Sequence, residues 1–239
     1  VDLTDGTLLG GRVIYRQPSA GYRTGIEPVL LAASVAAQPG MRVLEAGTGA
    51  GAGLLCLLAR VPGVAATGVE QDADLADLAR ANLAANSMAG VVETADLLTL
   101  PPPPPFDHAM ANPPWHDSRS TPSPIQRRDS AKRAAPELLG DWAAALVRLV
   151  RPGGGVTFIL PAAAVAEAVA ALAGLACGSM TVLPLWPRAS QEARLVLVQA
   201  MKGARGPSRI LPGLVLHEGD GFTEAARAIL WDGAPLKFG

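Results

Sequence analysis

The sequence is poor in aromatic residues, cysteine and histidine: Phe, Trp and Tyr make up 4% of its 239 residues, with two cysteines and three histidines. Cys56 and Cys177 stand far apart in unlike contexts and define no disulfide framework. The three histidines are isolated and show no metal-ligand spacing, so no metal site is expected. Long apolar runs are missing too. The longest uncharged stretch, 168–187, contains Gly174, Gly178, Ser179, Thr181 and two prolines, and reads as helix end, turn and strand rather than a bilayer span. The opening VDLTDGTLLGGR has neither a basic nor a long apolar region, so no secretory signal is expected in it and the cytoplasm is the expected compartment. Net charge is nearly absent, with 20 basic against 21 acidic residues and a formal −1.

What is present is 49% hydrophobic content, which excludes disordered and fibrous classes and suffices for one domain with small additions. Charge is segregated along the chain. Residues 41–112 carry three arginines against eight acids, a net −5, whereas 113–239 carry fourteen basic and ten acidic residues, a net +4. The densest basic stretch holds Arg119, Arg127, Arg128, Lys132 and Arg133 against Asp129 alone, in a Ser- and Pro-rich loop. On charge alone, a solvated loop and a phosphate-binding loop are equally good readings.

Apolar patterning predicts strands at 41–46, 64–70, 90–95, 106–111, 156–160, 180–185 and 194–201, with helices at 51–60, 72–86, 136–150 and 162–172 between them. The last two strands have too little chain between them for a crossover helix and should be antiparallel. The fold class is therefore α/β, a Rossmann-like, seven-stranded, mostly parallel sheet with a reversed last strand. Such sheets bind ligands beyond the carboxyl ends of their strands. Residues 1–40 hold a hairpin-like LGGRVIYRQP and a helix over 28–37, and read as an extension over the site. Residues 41–201 form the main domain, and 202–239 an extension of it without its own core. Pro101–Pro105 reads as a stiff polyproline spacer.

The first predicted strand runs into Glu45-Ala46-Gly47-Thr48-Gly49-Ala50-Gly51. Glycines there let backbone approach a ligand, and the following helix N-terminus favours an anionic group. The second strand ends in Glu70, where a carboxylate can accept both hydroxyls of a ribose, and Asp96 lies at the same sheet edge, within reach of an adenine amine. Gly47, Gly49 and Ala52 also satisfy G-x-G-x-x-A, which keeps nicotinamide or flavin binding as a rival. Glu45 before the loop and acids after three successive strands favour S-adenosylmethionine.

After the fourth strand comes Asn112-Pro113-Pro114-Trp115. Two prolines remove two donors and leave carbonyl oxygens without local N–H partners. The Asn112 side-chain oxygen and the Pro113 carbonyl can accept both hydrogens of a planar amine, while Trp115 offers a stacking face. Accepting those hydrogens favours charge build-up on a nitrogen attacking a methyl group.

The EAGTGAG loop, Glu70, Asp96 and NPPW together resemble the class I S-adenosylmethionine-dependent methyltransferases acting on exocyclic or amide nitrogen. The N-terminal LLGGRVIYRQPSAGYRTGIEPVLLAA and the C-terminal PGLVLHEGDGFTEAARAIL are similar to the bacterial tRNA adenine-N6 methyltransferase group, which modifies the adenine beside the anticodon of a valine tRNA. By this resemblance Gly47, Thr48, Gly49, Glu70 and Asp96 bind cofactor, together with Glu45 and Asn112. Asn112 to Trp115 hold the target amine, and Tyr22, Arg23 and Thr24 close over the cofactor. Trp115 stands where Phe or Tyr is usual, and Glu27 where Asp is more familiar.

The leading expectation is an enzyme methylating the N6 amine of an adenine in tRNA, with Arg119, Arg127, Arg128, Lys132 and Arg133 contacting phosphates beside a flipped base. Protein glutamine-N methylation and guanine-N2 methylation of ribosomal RNA remain open. A dinucleotide-binding dehydrogenase or a non-catalytic nucleotide sensor leaves NPPW unexplained. No membrane partner is expected. Tyr15, Trp142, Trp186 and Trp231 are expected in the core rather than as stacking platforms.

Overall fold

A computed structural model describes residues 2–20, 23–114 and 135–238, less the side chains of 135–137. The alternating half begins with β3 (Arg42–Ala46), whose Val43 and Leu44 are fully buried in the cores on opposite faces of the sheet. Burial on both faces explains its continuous apolar run. The order continues α2 (Ala52–Arg60), β4 (Ala65–Glu70), α3 (Ala73–Ala85), β5 (Val91–Thr94), β6 (Phe106–Ala111), α4 (Ala135–Leu149), β7 (Val150–Pro161), α5 (Val165–Gly174), β8 (Cys177–Arg188) and β9 (Leu195–Lys202). Asp72 starts α3 cleanly, because its side chain accepts from the N–H groups of Asp74 and Leu75.

The seven expected strands form one contiguous sheet, β5-β4-β3-β6-β7-β9-β8, with β9 antiparallel to both β7 and β8. Strand order reverses between β3 and β6. One core lies under α1 (Glu27–Ser34), α2 and α3, the other under α4 and α5. This is the Rossmann-like α/β fold.

Three features differ from the sequence reading. The N-terminal hairpin begins earlier, pairing β1 (Leu3–Leu8) with β2 (Val13–Pro18), because β1 is largely solvated and shows no apolar alternation. The C-terminal segment joins the sheet itself: β10 (Arg209–Ile210) and β11 (Leu214–Glu218) pair parallel with β8, and β12 (Gly221–Phe222) pairs with β11. The sheet therefore has ten strands rather than seven. Strand β7 starts before its glycines, with a register shift opposite Phe106 and His108 that lets 151–154 bulge out. Helix α1 (Glu27–Ser34) and helix α6 (Glu224–Leu230) complete the fold.

Among the described residues no helix is long and apolar enough to cross a membrane, and no group of three His, Cys, Asp or Glu side chains is placed to hold a metal. Cys56 and Cys177 are both buried free thiols.

Candidate functional site

Strand register lines up the motifs. Ala46 of β3 pairs with Ala111 of β6 on one side and Val69 of β4 on the other, so Gly47, Asn112 and Glu70 leave the sheet as one row. Glu70 pairs with Thr94, which places Asp96 at the next strand end. Neighbouring strands lie about 4.8 Å apart, so the row from β6 to β5 spans roughly 14 Å, enough for an extended nucleoside-bearing ligand. The row straddles the reversal in strand order, where such sheets open a crevice.

Gly47 and Gly49 take left-handed backbone conformations, with φ of 64° and 55°. A side chain at Gly47 would sit 2.7 Å from the Trp142 ring, whereas one at Gly49 would meet nothing within 4 Å. The loop is therefore braced by α4 on one side and open on the other. The Glu70 carboxylate accepts from the Gly49 N–H at 2.8 Å and the Asp72 N–H at 3.0 Å, one oxygen each. Each oxygen keeps a lone pair for a further donor such as a ribose hydroxyl. Asp96 is exposed, and one of its oxygens accepts from the Leu98 N–H.

Glu45 faces the underside of the loop. It is only 5% exposed and lies under the loop, accepting from the Thr48 hydroxyl at 2.5 Å and from the Leu54 backbone. Any Cβ at Gly53 would overlap its carboxylate, which accounts for a glycine inside α2. Burial pushes the Glu45 carboxyl up to about 7; the hydrogen bonds from Thr48 and Leu54 oppose the rise and the Glu70 charge adds to it.

The N-terminal hairpin is tied to α3 by two amides, one of which also reaches this loop. Asn82 on α3 and Asn86, the C-cap one turn further on, each grip one residue of β2: Asn82 accepts from the Arg16 N–H and donates to the Arg16 carbonyl, and Asn86 does the same at Ile14. Asn82 is fully buried and also donates to the Ala50 carbonyl at 2.9 Å. From β2 the chain crosses toward α1, with Thr24 held by the Tyr15 hydroxyl at 2.7 Å and by Gln17 at 2.9 Å. Arg23 beside it is exposed.

Asn112 is half-buried, Pro113 buried and Pro114 exposed. The Asn112 side chain has no hydrogen-bond partner among the described residues, so its acceptor and donors remain available beside the glycine loop. Tyr22, Trp115, Arg119, Arg127, Arg128, Lys132 and Arg133 lie outside the described residues. Tyr15 is buried as expected and Trp142 packs beside the core, but Trp231 is 42% exposed.

Sequence reasoning missed Trp142 as the brace of Gly47, and Asn82 and Asn86 as the clamp on the hairpin. The available signal was two asparagines four apart in an alanine-rich helix, where amides are not favoured unless they reach a partner.

A family model described as methyltransferase small domain matches residues 27–137. A tRNA1(Val) (adenine(37)-N6)-methyltransferase of Aeromonas hydrophila is 29% identical over 208 residues, covering 83% of this chain and 84% of that protein. The crystal structure of a predicted O-methyltransferase from Agrobacterium tumefaciens superposes with a TM-score of 0.73 at 26% identity, over 88% of this chain and 98% of that one. An S-adenosylmethionine-dependent O-methyltransferase from Thermotoga maritima shares the fold at 17% identity, with a TM-score of 0.51, over 75% of this chain and 64% of that one. With the glycine loop and the Asn-Pro-Pro turn set side by side at the switch point, residues 27–137 are similar to the methyltransferase small domain, and the chain is an S-adenosylmethionine-dependent methyltransferase with the class I fold.

Proposed function

We propose that the enzyme methylates the exocyclic N6 amine of an adenine in RNA, with tRNA as the substrate class. The observation that carries this reading is the Asn112-Pro113-Pro114 turn, in register with the glycine loop and with its amide unpartnered among the described residues. The printed function of the Aeromonas hydrophila relative supports it.

The residues present suit the cofactor: the space over Gly49 is open, and Glu70 retains acceptor capacity. Gly47, Thr48 and Gly49 shape the floor, Glu70 receives ribose hydroxyls, Asp96 receives the adenine amine, and Tyr22, Arg23 and Thr24 close the mouth. When bound, S-adenosylmethionine supplies an electrophilic methyl group on a sulfonium. Asn112 and the Pro113 carbonyl accept the two amine hydrogens, orient the nitrogen lone pair toward that methyl, and stabilise the positive charge that develops on nitrogen. Trp115 stacks on the base, and Arg119, Arg127, Arg128, Lys132 and Arg133 neutralise flanking phosphates.

The Agrobacterium tumefaciens relative carries an oxygen-directed name, which gives a second reading. A hydroxyl acceptor needs a base to take its proton, and Asn112 with two prolines offers acceptors and no base. Labelled S-adenosylmethionine supplied with total tRNA, ribosomes and release factors in parallel tests the assignment. Label on N6-methyladenine in tRNA is expected; label on a glutamine amide, a guanine or an oxygen overturns it. Reversing charge at Arg127 and Arg128 should weaken tRNA binding and lower its salt slope by about two; unchanged affinity at low salt removes the role given to the basic loop.

A further inference from the structure

Glu27 is the first residue of α1. Its Oε2 is enclosed yet has no hydrogen-bond partner among the described residues. The carboxylate folds back over Gly25, where any Cβ would overlap it. An enclosed carboxylate oxygen without a donor is costly, so its retention points to a donor that arrives from outside the chain.

Two contacts place this carboxylate. Arg60, the last residue of α2, donates to the carbonyls of Ala32 at 2.8 Å and Val35 at 2.5 Å, at the far end of α1. Helices α1 and α2 therefore run parallel, and Glu27 stands at the same end as the first turn of α2, where the glycine loop delivers the chain. Helix α1 also packs against β6 and β7, so Glu27 is on the Asn112 side of the row, away from Glu70 and Asp96.

The cofactor has two ends of different chemistry, an adenosine with hydroxyls and an amine, and an amino-acid tail with a cationic α-ammonium. Adenosine over Glu70 and Asp96 leaves the tail pointing toward β6 and α1. Glu45 is occupied from below by Thr48 and Leu54. Resting on the adenosine placement proposed above, we propose that Glu27 receives the α-ammonium of S-adenosylmethionine, while Glu45 positions the glycine loop. An ammonium brings three donors to the waiting oxygen and a matching charge.

Calorimetric titration of S-adenosylhomocysteine and of 5′-methylthioadenosine, which has the adenosine and thioether but no amino-acid tail, separates the two ends. Glu27→Gln should weaken S-adenosylhomocysteine binding about tenfold to a hundredfold, as for a charge-assisted hydrogen bond, and leave 5′-methylthioadenosine within about twofold. Retained 5′-methylthioadenosine binding also reports that the variant is folded. Glu45→Gln should weaken both ligands together. Equal losses for both ligands in Glu27→Gln, or no loss for either, overturns the assignment of the ammonium to Glu27. Failure of the unsubstituted protein to bind either ligand instead overturns the adenosine placement itself.

Discussion

The two sides of the binding row are built on opposite terms. On the side of β3, β4 and β5 several polar groups are engaged within the protein: Glu70 with the Gly49 and Asp72 N–H groups, Glu45 with Thr48, Asn82 with Arg16 and Ala50. On the side of β6 and α1, the Asn112 amide and the Glu27 Oε2 have no partner among the described residues. The first side is a scaffold that holds shape before anything binds. The second keeps hydrogen-bonding capacity in reserve, for the group that moves through the reaction and, by our inference, for the charged tail of its donor. Preorganisation of the floor with unspent acceptors above it is the arrangement that electrostatic catalysis requires.

The largest break in this contrast should come from Asn112→Ala. Transfer to RNA should fall about 100-fold to 1,000-fold, with S-adenosylhomocysteine affinity within about threefold by calorimetry; a collapse of cofactor affinity instead would move Asn112 to the scaffold side. Next, Gly47→Ala combines left-handed strain with overlap on Trp142, and should cost about 3 kcal/mol, lowering Tm by roughly 6–12 °C. Gly49→Ala has the strain and none of the overlap, so it should cost about 1–2 kcal/mol. Equal losses would mean that Trp142 does not brace the loop.

The scaffold side also carries a proton signature. The unfolded chain releases the Glu45 proton near pH 4.5, while the folded protein holds it to about 7. Between those values the folded state binds more protons, so this group's contribution falls as pH rises, by on the order of 3 kcal/mol across the window. Below pH 4.5 it contributes no slope. Thermal melts of the native protein and Glu45→Gln from pH 4 to 8 should diverge across that window, and parallel curves would show that Glu45 is already ionised when folded. The smallest effect is expected at Asp96, exposed at the rim: Asp96→Ala should weaken S-adenosylhomocysteine by roughly threefold to tenfold.

The scaffold was legible because its features are local in sequence. A β-branched run followed by closely spaced glycines requires left-handed turns and a helix start, and prolines after Asn112 remove donors wherever the chain goes. Glu45 was legible as a residue but its surroundings were not: strand alternation turns its side chain under α2, where the Thr48 hydroxyl meets it. Trp142, Asn82 and Glu27 act through partners 95, 32 or more residues distant or through an unfilled valence, and no pattern within an eighteen-residue window of about five helical turns encodes that. Strands β10 to β12 escaped because two-residue and five-residue pairings at a sheet margin need little apolar alternation.

The asparagine pair on α3 has one more effect, on how separate molecules meet. Strand β2 is bonded to β1 along one side only, and its other side would present the N–H and C=O groups of Ile14 and Arg16 as a template, beside an Ile14 side chain that is 48% exposed. Such an edge invites strand addition from another chain and, beyond it, aggregation. Asn86 and Asn82 fill that template with side-chain amides at the spacing of alternate strand residues, so α3 serves as a surrogate strand that cannot be extended further.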